Sequence, residues 1–359
     1  MHGVGTSRDI TSAEAALPKQ DLLRSVWWAY RMRWKRRRLL WRAYRSRHQL
    51  NRITDNTGSI SPDDVLLLCV MRNESVRLPH FLGHYRRLGV AHFVFVDNGS
   101  SDGSADLVSA QPDCSLWSTN ASYKESRFGI DWINHLLARF GVGHWCLTVD
   151  VDEIFTYARS DSVDLNRLTK WLEKSKYRMF GALMLDLYPD SAVGDVPYQV
   201  GADPLDALRW FDAGPYRARR QELMRNLWVQ GGARERVFFK KTPRLSPTLN
   251  KIPLVKWQRS FAYVNSTHSM LPRDLNAAYI DMEGRLMPSG VLLHTKFLNT
   301  VVTKSAEEKH RKEHFSNSAD FDQYYDALTE NPVLWHPESV EYEGPKQLED
   351  LGLILAGDW

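Results

Sequence analysis

Residues 65–74 read VLLLCVMRNE, seven apolar residues followed directly by three polar ones. A continuous apolar run of this length is typical of a strand buried on both faces, as in a parallel sheet. The polar residues mark the point where that strand ends. This stretch therefore predicts an α/β sheet with a polar site along one edge.

The same alternation of apolar strands and helices continues to residue 155. Strands are predicted over His92–Val96, Cys114–Trp117 and His144–Val149, and helices over 78–88, 102–107 and 128–140. Such alternation gives parallel strands joined by right-handed crossovers, and ligands bind beyond their carboxyl ends. We expect three polar clusters to converge there: Arg72-Asn73-Glu74, Asp97-Asn98 and Asp150-Val151-Asp152-Glu153.

Two carboxylates of the last cluster are candidates for a metal site. Asp150 and Asp152 are two residues apart, so both face the same side of an extended strand end. Carboxylate oxygens on a short segment suit Mg²⁺ or Mn²⁺, with waters and substrate phosphates completing the shell. Asp97 could accept hydrogen bonds from a ribose or a base, or could cap the next helix.

The order of these segments resembles a known family. The segments are VMRNE at 70–74, LGHYRRLGV at 82–90, VDNGSSDG at 96–103, RFG at 127–129 and DVDE at 150–153. They resemble nucleotide-sugar glycosyltransferases of the GT-A fold, most closely family 2 and the related family 92-like bacterial branch. The family 2 pattern usually has a second Asp where Asn98 stands and an Asn where Phe128 stands. These two departures bear on which nucleotide base the protein would bind.

The resemblance implies a Rossmann-like, mostly parallel sheet flanked by helices, and an inverting, metal-dependent sugar transfer. The expected donor is a nucleoside-diphosphate sugar, a UDP-sugar first of all, and the expected cofactor is Mn²⁺ or Mg²⁺. Asp152 matches the metal ligand, and Asp150 matches the acid nearer the ribose. The other residues expected to bind the donor are Arg72, Asn73, Glu74, Asp97, Asn98 and Arg127.

The second half of the chain offers candidates for the catalytic base. A strand is predicted over Gly181–Asp186, and a long irregular region through Pro215 is expected to form acceptor-side loops. GT-A enzymes often have a glycine loop near the donor sugar and a carboxylate nearby that serves as base. Glu235, which follows the glycine pair 231–232, could be that base, or it could instead pair with Arg234 or Arg236. Asp186 and Asp190 remain candidates for the same role.

A strand over 291–297 brings the last candidates for the site. In many GT-A enzymes a C-terminal histidine completes the metal shell. His294 fits that place better than His268, and Lys296 could neutralise a diphosphate. Imidazole with carboxylate suits Mn²⁺. The run 307–314 predicts a solvated helix face, and the tail predicts a packed helical extension through Phe321, Tyr324, Tyr325, Leu328, Leu334 and Trp335.

Charge is distributed unevenly along the 359 residues. Residues 1–50 hold twelve basic and three acidic side chains, a net of +9, whereas the rest holds 35 and 40, a net of −5. Within that arm, aromatic residues recur at helical spacing: Leu23, Trp27, Tyr30, Trp34, Trp41 and Tyr44. A basic helix with a Trp/Tyr face suits an anionic membrane surface. There are two alternatives to membrane binding. The arm could bind nucleic acid, or it could be a helix that is merely solvated or docked on the body.

Composition excludes several other classes of protein. At 43% hydrophobic and 25% charged residues the chain is neither disordered nor fibrous. The longest apolar run is far short of the roughly 20 residues that span a membrane. We expect no secretory signal, and we expect the three cysteines to be free and buried, in a reducing cytoplasm.

Together these features predict a cytoplasmic glycosyltransferase peripherally bound to the inner face of the cell membrane. Its acceptor would be a glycan or lipid-linked hydroxyl in cell-envelope polysaccharide synthesis. The alternative is an inactive nucleotide-sugar-binding or scaffold protein. The expected organisation is an arm (1–50), a linker (51–64), a catalytic domain (65–300, with nucleotide and acceptor halves 65–155 and 156–300) and a helical extension (301–359).

Overall fold

The centre of the molecule is a mixed sheet of eleven strands in a computed structural model that describes residues 22–281, 284–301, 324 and 326–359. The strands are β1 (Asn51–Thr54), β2 (Val65–Met71), β3 (His92–Asp97), β4 (Cys114–Ser118), β5 (Trp145–Thr148), β6 (Glu153–Thr156), β7 (Met179–Tyr188), β8 (Trp210–Phe211), β9 (Tyr216–Arg220), β10 (Leu227–Gly231), β11 (Asn250–Lys256), β12 (Ala262–Tyr263), β13 (Met270–Leu271), β14 (Ser289–His294) and β15 (Val340–Glu341). The helices are α1 (Leu22–Ser46), α2 (Leu78–Arg87), α3 (Ser104–Ser109), α4 (Ile130–Leu136), α5 (Leu165–Lys174), α6 (Pro204–Ala207), α7 (Gly232–Phe238) and α8 (Pro345–Asp350).

The sheet runs in the order β1-β4-β3-β2-β5-β11-β7-β14-β6, and β8 and β15 extend it beside β7. Its first half is parallel from β4 through β3 and β2 to β5. In the second half β7 and β14 are parallel, and β11 and β6 pair antiparallel with their neighbours. The predicted fold class, a Rossmann-like α/β sheet with parallel strands at its core, is confirmed.

The uninterrupted apolar run of β2 is explained by helices on both faces of the sheet. Leu67, Cys69 and Met71 pack in a cluster with residues of α2 and α5. Leu66 and Leu68 pack on the opposite face in a cluster with residues of α4. Because neither face meets water, alternation of polar and apolar residues is absent from this strand.

Most predicted elements of residues 65–155 are present with bounds within a few residues of those expected. The helix expected over 128–140 is shorter: α4 ends at Leu136, and a wider helical turn follows over Leu137–Gly141. The three cysteines are free and buried, as predicted. No helix in the described part of the chain has the length and apolarity to cross a membrane.

The two segments that flank the predicted catalytic domain differ from expectation. The first residues of the predicted linker form β1, which pairs with β4 and so extends the sheet. In the predicted helical extension, β15 pairs with β8, because the exposed edge of β8 accepts a strand there. Tyr324, Leu328 and Leu334 are buried in one cluster. Phe321, Tyr325 and the run 307–314 lie outside the described residues.

Gly290 of β14 permits the close approach of β6. A Cβ at this position would lie 2.5 Å from the carbonyl oxygen of Thr156. Gly290→Ala is therefore expected to lower the free energy of unfolding by about 1–3 kcal/mol, since backbone must move. At Gly58 a Cβ would meet no atom within 4 Å. Gly58→Ala is the matched control in urea denaturation, and equal stability of the two variants would contradict this account.

Candidate functional site

The polar clusters that follow β2 and β3 meet at the carboxyl edge of the sheet, as expected from parallel strands. Arg72 Nη1 donates to the carbonyl oxygen of Asn98 at 2.7 Å, and Asn73 Oδ1 accepts from the amide of Ser101 at 2.8 Å. Asn98 Nδ2 in turn donates to the carbonyls of Thr119 and Ala121. These side chains hold the two strand-end loops together.

Asp97 and Glu74 also have partners within this edge. Asp97 Oδ2 accepts from the amide of Ser100 at 3.1 Å, and its Oδ1 accepts from the Ser100 hydroxyl. Glu74 forms an ion pair with Arg77 at 3.0 Å. Asp97 therefore binds Ser100 in the loop after β3. It does not cap α3, which begins only at Ser104.

The acidic segment after β5 is anchored by a buried ion pair. Glu153 is 1% exposed and binds Lys251 Nζ, which also lies 3.3 Å from Asp150 Oδ2. Burial would lower the pKa of Lys251, but the two carboxylates raise it above its ordinary value. Burial raises the pKa of Glu153, and Lys251 opposes this. Lys251 is a site residue whose role the sequence did not indicate, because its partners lie about a hundred positions away.

Asp152 takes a different partner from Asp150. Asp152 Oδ2 lies 3.3 Å from Nε2 of His294, at the end of β14. The Nδ1 of the same imidazole lies 2.6 Å from Oδ1 of Asp186. In the parallel pairing of β7 with β14, Asp186 stands directly opposite His294. Three residues predicted separately are thus brought into one chain of contacts.

Arg234 extends this chain beyond the predicted residues. Its Nε donates to Asp186 Oδ2 at 2.7 Å, and both side chains are buried. Burial would raise the pKa of Asp186, but the Arg234 guanidinium and His294 lower it to about 2. Burial would likewise raise the pKa of Asp152, and His294 holds it well below its ordinary value. The pKa of His294 itself is raised by the two carboxylates against the effect of burial.

The chemistry of this donor set fits a divalent cation. Asp186 fixes the imidazole through Nδ1, so the Nε2 atom is directed toward Asp152, as in carboxylate–histidine–metal arrangements. Asp152 and His294 could hold the ion, with water and phosphate oxygens supplying the other positions. Within the described residues, no group of three or more His, Cys, Asp and Glu side chains is arranged to hold a metal. At most two of these side chains, Asp152 and His294, are therefore candidates to hold one ion.

Glu235 and the remaining histidine candidate are held by other contacts. Arg217 donates from both terminal nitrogens to the two carboxylate oxygens of Glu235, and Ser246 Oγ donates at 2.8 Å. The ion pair expected for Glu235 thus forms, but with Arg217, because neighbours on a helix point in different directions. His268 Nδ1 donates to the Asn250 carbonyl, 2.6 Å away, and burial lowers the pKa of His268 to about 3.

Arg127, Phe128 and Gly129 form a loop beside the acidic segment. All three have positive φ, at 56°, 61° and 75°. A Cβ at Gly129 would lie 2.8 Å from Val70 Cγ2, so glycine is required there. Arg127 does not point to open solvent. It donates from Nε to Asp131 at 2.9 Å and from Nη1 to the Val264 carbonyl at 2.7 Å.

A small open cleft, with about 30 Å³ of free volume, lies between this loop and the acidic segment. It is lined by Val70, Tyr123, Phe128, Ile130, Ile133, Thr148, Val149, Asp150, Lys251, Ser266 and Thr267. Its lining combines aromatic rings with hydroxyls, one carboxylate and one ammonium group. Lys296, two residues beyond His294, lies with its ammonium 5.2 Å from the ring centre of Tyr324.

Comparisons with known proteins add little to this geometry. No family model matches the chain, and no curated protein resembles it in sequence. Among solved structures, it is similar to the crystal structure of 4-diphosphocytidyl-2C-methyl-D-erythritol synthase. That likeness covers 38% of this chain and 68% of the other at 15% identity and a TM-score of 0.24. A likeness this weak does not indicate what this chain binds or does.

Proposed function

We propose that this protein is an inverting, metal-dependent glycosyltransferase of the GT-A type. It would move a sugar from a nucleoside-diphosphate sugar, with a UDP-sugar the preferred donor, to a hydroxyl of a glycan or lipid-linked acceptor. The proposal rests chiefly on one observation. Asp152 and His294 form a pair at the carboxyl edge of the sheet. Asp150, two residues before Asp152, lines the open cleft.

The cleft residues would bind the nucleoside. Phe128 and Tyr123 offer apolar faces to a base, and Asp150 offers carboxylate oxygens to the ribose hydroxyls. Lys251 holds Asp150 in place from the buried side. Arg72, Asn73, Glu74, Asp97 and Asn98 shape the neighbouring loops, and Arg127 holds the loop that carries Phe128.

Asp152 and His294 would hold Mn²⁺ or Mg²⁺ next to the diphosphate, with Lys296 nearby. When bound, the ion would offset the negative charge that develops on the leaving diphosphate. The acceptor oxygen forms its bond to the anomeric carbon while the bond from that carbon to the diphosphate oxygen breaks. One displacement of this kind inverts the anomeric configuration. A carboxylate takes the acceptor proton.

Glu235, Asp186 and Asp190 are the three candidates for that base, and the contacts of the first two support different roles for them. Asp186 is buried between His294 and Arg234 and is committed to holding the imidazole. Glu235 is bound by Arg217, whose side chain is 53% exposed and could be displaced by an acceptor. We therefore propose Glu235 as the general base and Asp186 as a positioning residue.

The acceptor and the location complete the proposal. We propose cell-envelope polysaccharide as the product and the cytoplasmic side of the cell membrane as the place of action. An anionic bilayer there would meet the basic helix α1, which has no acidic residue between Leu22 and Ser46.

A donor screen tests the proposed function. With Mn²⁺ present, UDP is expected to raise the melting temperature, and a UDP-sugar is expected to release UDP with an inverted sugar product. GDP- and CMP-sugars serve as controls for the base. Nucleotide binding with no turnover of any donor would favour an inactive binding protein, and absence of any nucleotide effect would overturn the proposal altogether.

A further inference from the structure

Helix α1 has two faces of opposite character. One face is buried against the body of the protein through Met32, Leu39, Ala43 and Ser46. The other presents five aromatic side chains that are each at least half exposed: Trp27, Tyr30, Trp34, Trp41 and Tyr44. We call these five residues the aromatic ridge. Their intervals of three, four and seven place them on one line along the helix.

The helix is fixed to the body by polar contacts as well as by packing. Arg42 Nε donates to Asp131 Oδ2 at 3.0 Å, and Ser46 Oγ donates to the Asp131 carbonyl at 3.1 Å. Just beyond the helix, Gln49 accepts from the indole of Trp132 at 2.8 Å. Packing of α1 on the body therefore explains the apolar residues of its buried face. It does not explain the aromatic ridge, which is turned away from the body.

The ridge is ordered by its own contacts. The rings of Trp27 and Tyr30 stack with centroids 6.0 Å apart, and those of Trp41 and Tyr44 stack at 5.7 Å. The Arg37 guanidinium lies 5.1 Å from the ring centre of Trp34. Monomeric proteins rarely expose contiguous apolar surface of this kind without a partner.

Cations flank the ridge along its length. Arg31, Arg38 and Arg45 are exposed and follow one another at intervals of seven, parallel to the line of Trp27, Trp34 and Trp41. Arg33 and Arg37 are exposed as well. Since the helix contains no acidic residue, every charge beside the ridge has the same sign. A second copy of the chain would bring cations against cations, so self-association through this face is disfavoured.

We infer that the aromatic ridge is a docking surface for an anionic lipid bilayer, and that it binds while α1 stays packed on the body. Indole and phenol rings favour the headgroup region, and flanking arginines pair with lipid phosphates. Because Asp131 binds both Arg42 and Arg127, α1 is held next to the loop beside the cleft. The inference does not depend on the chemistry of the carboxylate site.

Vesicle binding by the full chain tests this surface. The probes are vesicles of phosphatidylcholine with and without phosphatidylglycerol, and the readout is co-flotation. Wild type is expected to bind the anionic vesicles. The triple variant Trp27→Ala/Trp34→Ala/Trp41→Ala is expected to bind them at least about tenfold more weakly. Trp335→Ala is the matched control, because Trp335 is also partly exposed, at 38%, but lies on the body.

Charge is tested by a second variant, Arg31→Gln/Arg38→Gln/Arg45→Gln. Each cation lost is expected to weaken binding to anionic vesicles roughly fivefold, with little change for neutral ones. Unchanged binding by the tryptophan variant would overturn the inference. So would RNA that displaces the protein from vesicles at physiological salt, or dimers in light scattering that the tryptophan variant abolishes. UDP-induced stabilisation of both variants should match wild type, which separates this result from failure of the proposed function.

Discussion

Replacement of Asp152 by alanine is expected to lower the rate of sugar transfer by on the order of 10²–10³-fold and to abolish its dependence on Mn²⁺. The side chain is one of the two proposed ligands, and His294 alone offers a single donor atom. The fold should be retained. The carbonyl of Asp152, which accepts from the amide of Thr295 at 2.7 Å, is unaffected by the change. Product formation and circular dichroism are the two measurements.

Replacement of a carboxylate outside the site serves as the control for Asp152→Ala. Asp161 is exposed and its carboxylate accepts only from its neighbour Ser162 among the contacts of the described residues. Asp161→Ala should therefore transfer sugar at the wild-type rate. Undiminished turnover by Asp152→Ala would refute the proposed metal site, whereas equal loss in both variants would point to a nonspecific effect.

Asp186→Asn is expected to weaken cation binding by about 10–100-fold, because the carboxylate fixes the imidazole of His294. It should also lower the free energy of unfolding by about 3–5 kcal/mol, since Arg234, only 7% exposed, is left without its charged partner. Isothermal titration with Mn²⁺ and urea denaturation measure the two effects. If Asp186 were instead the general base, kcat would fall while the affinity for Mn²⁺ stayed unchanged.

A double variant separates the role of Asp186 in positioning His294 from its role in neutralising the charge of Arg234. Asp186→Asn/Arg234→Met removes the stranded guanidinium and should recover part of the lost stability. It should not recover Mn²⁺ affinity, because the imidazole still lacks its carboxylate. Recovery of both would show that the ion pair acts on the site only through overall stability.

The same carboxylate should be visible in the pH dependence of stability. Its folded-state pKa of about 2 lies below the ordinary 3.8, so its contribution is present above that ordinary value and is lost as the pH falls toward 2. The stability advantage of wild type over Asp186→Asn should shrink by about 1 kcal/mol per pH unit in this window. A constant difference would contradict the assigned contacts.

The fold of residues 65–155 could be predicted because its signals are local. The apolar run of β2 and the polar residues that end it lie within ten positions of one another. Parallel strands then bring the loop after β2 against the loop after β3. The contact between Arg72 and Asn98 follows from that rule.

The partners of the site residues could not be predicted in the same way. Lys251 and Glu153 are 98 positions apart, and Arg234 and Asp186 are 48 apart. Such pairs depend on the antiparallel insertion of β11 and on the helix after β10, and no local pattern indicates which distant carboxylate each cation meets. The helical spacing of α1 predicted its aromatic stripe but not the face on which the helix docks, because Met32, Leu39 and Ala43 give a weaker apolar signal.

Asp131 binds both Arg42 of α1 and Arg127 of the loop beside the cleft, and this has a practical consequence for work on the protein. Shortening the chain to begin after α1 is a natural way to remove its exposed aromatic surface, and it removes none of the strands, since all of them follow α1. Among the described residues, Arg42 and Arg127 bind this carboxylate, and a shortened protein would keep Arg127 but lose Arg42. The loop of three left-handed residues that borders the cleft would then be less firmly held. Donor affinities measured on a shortened protein would describe a looser cleft than the one the full chain presents.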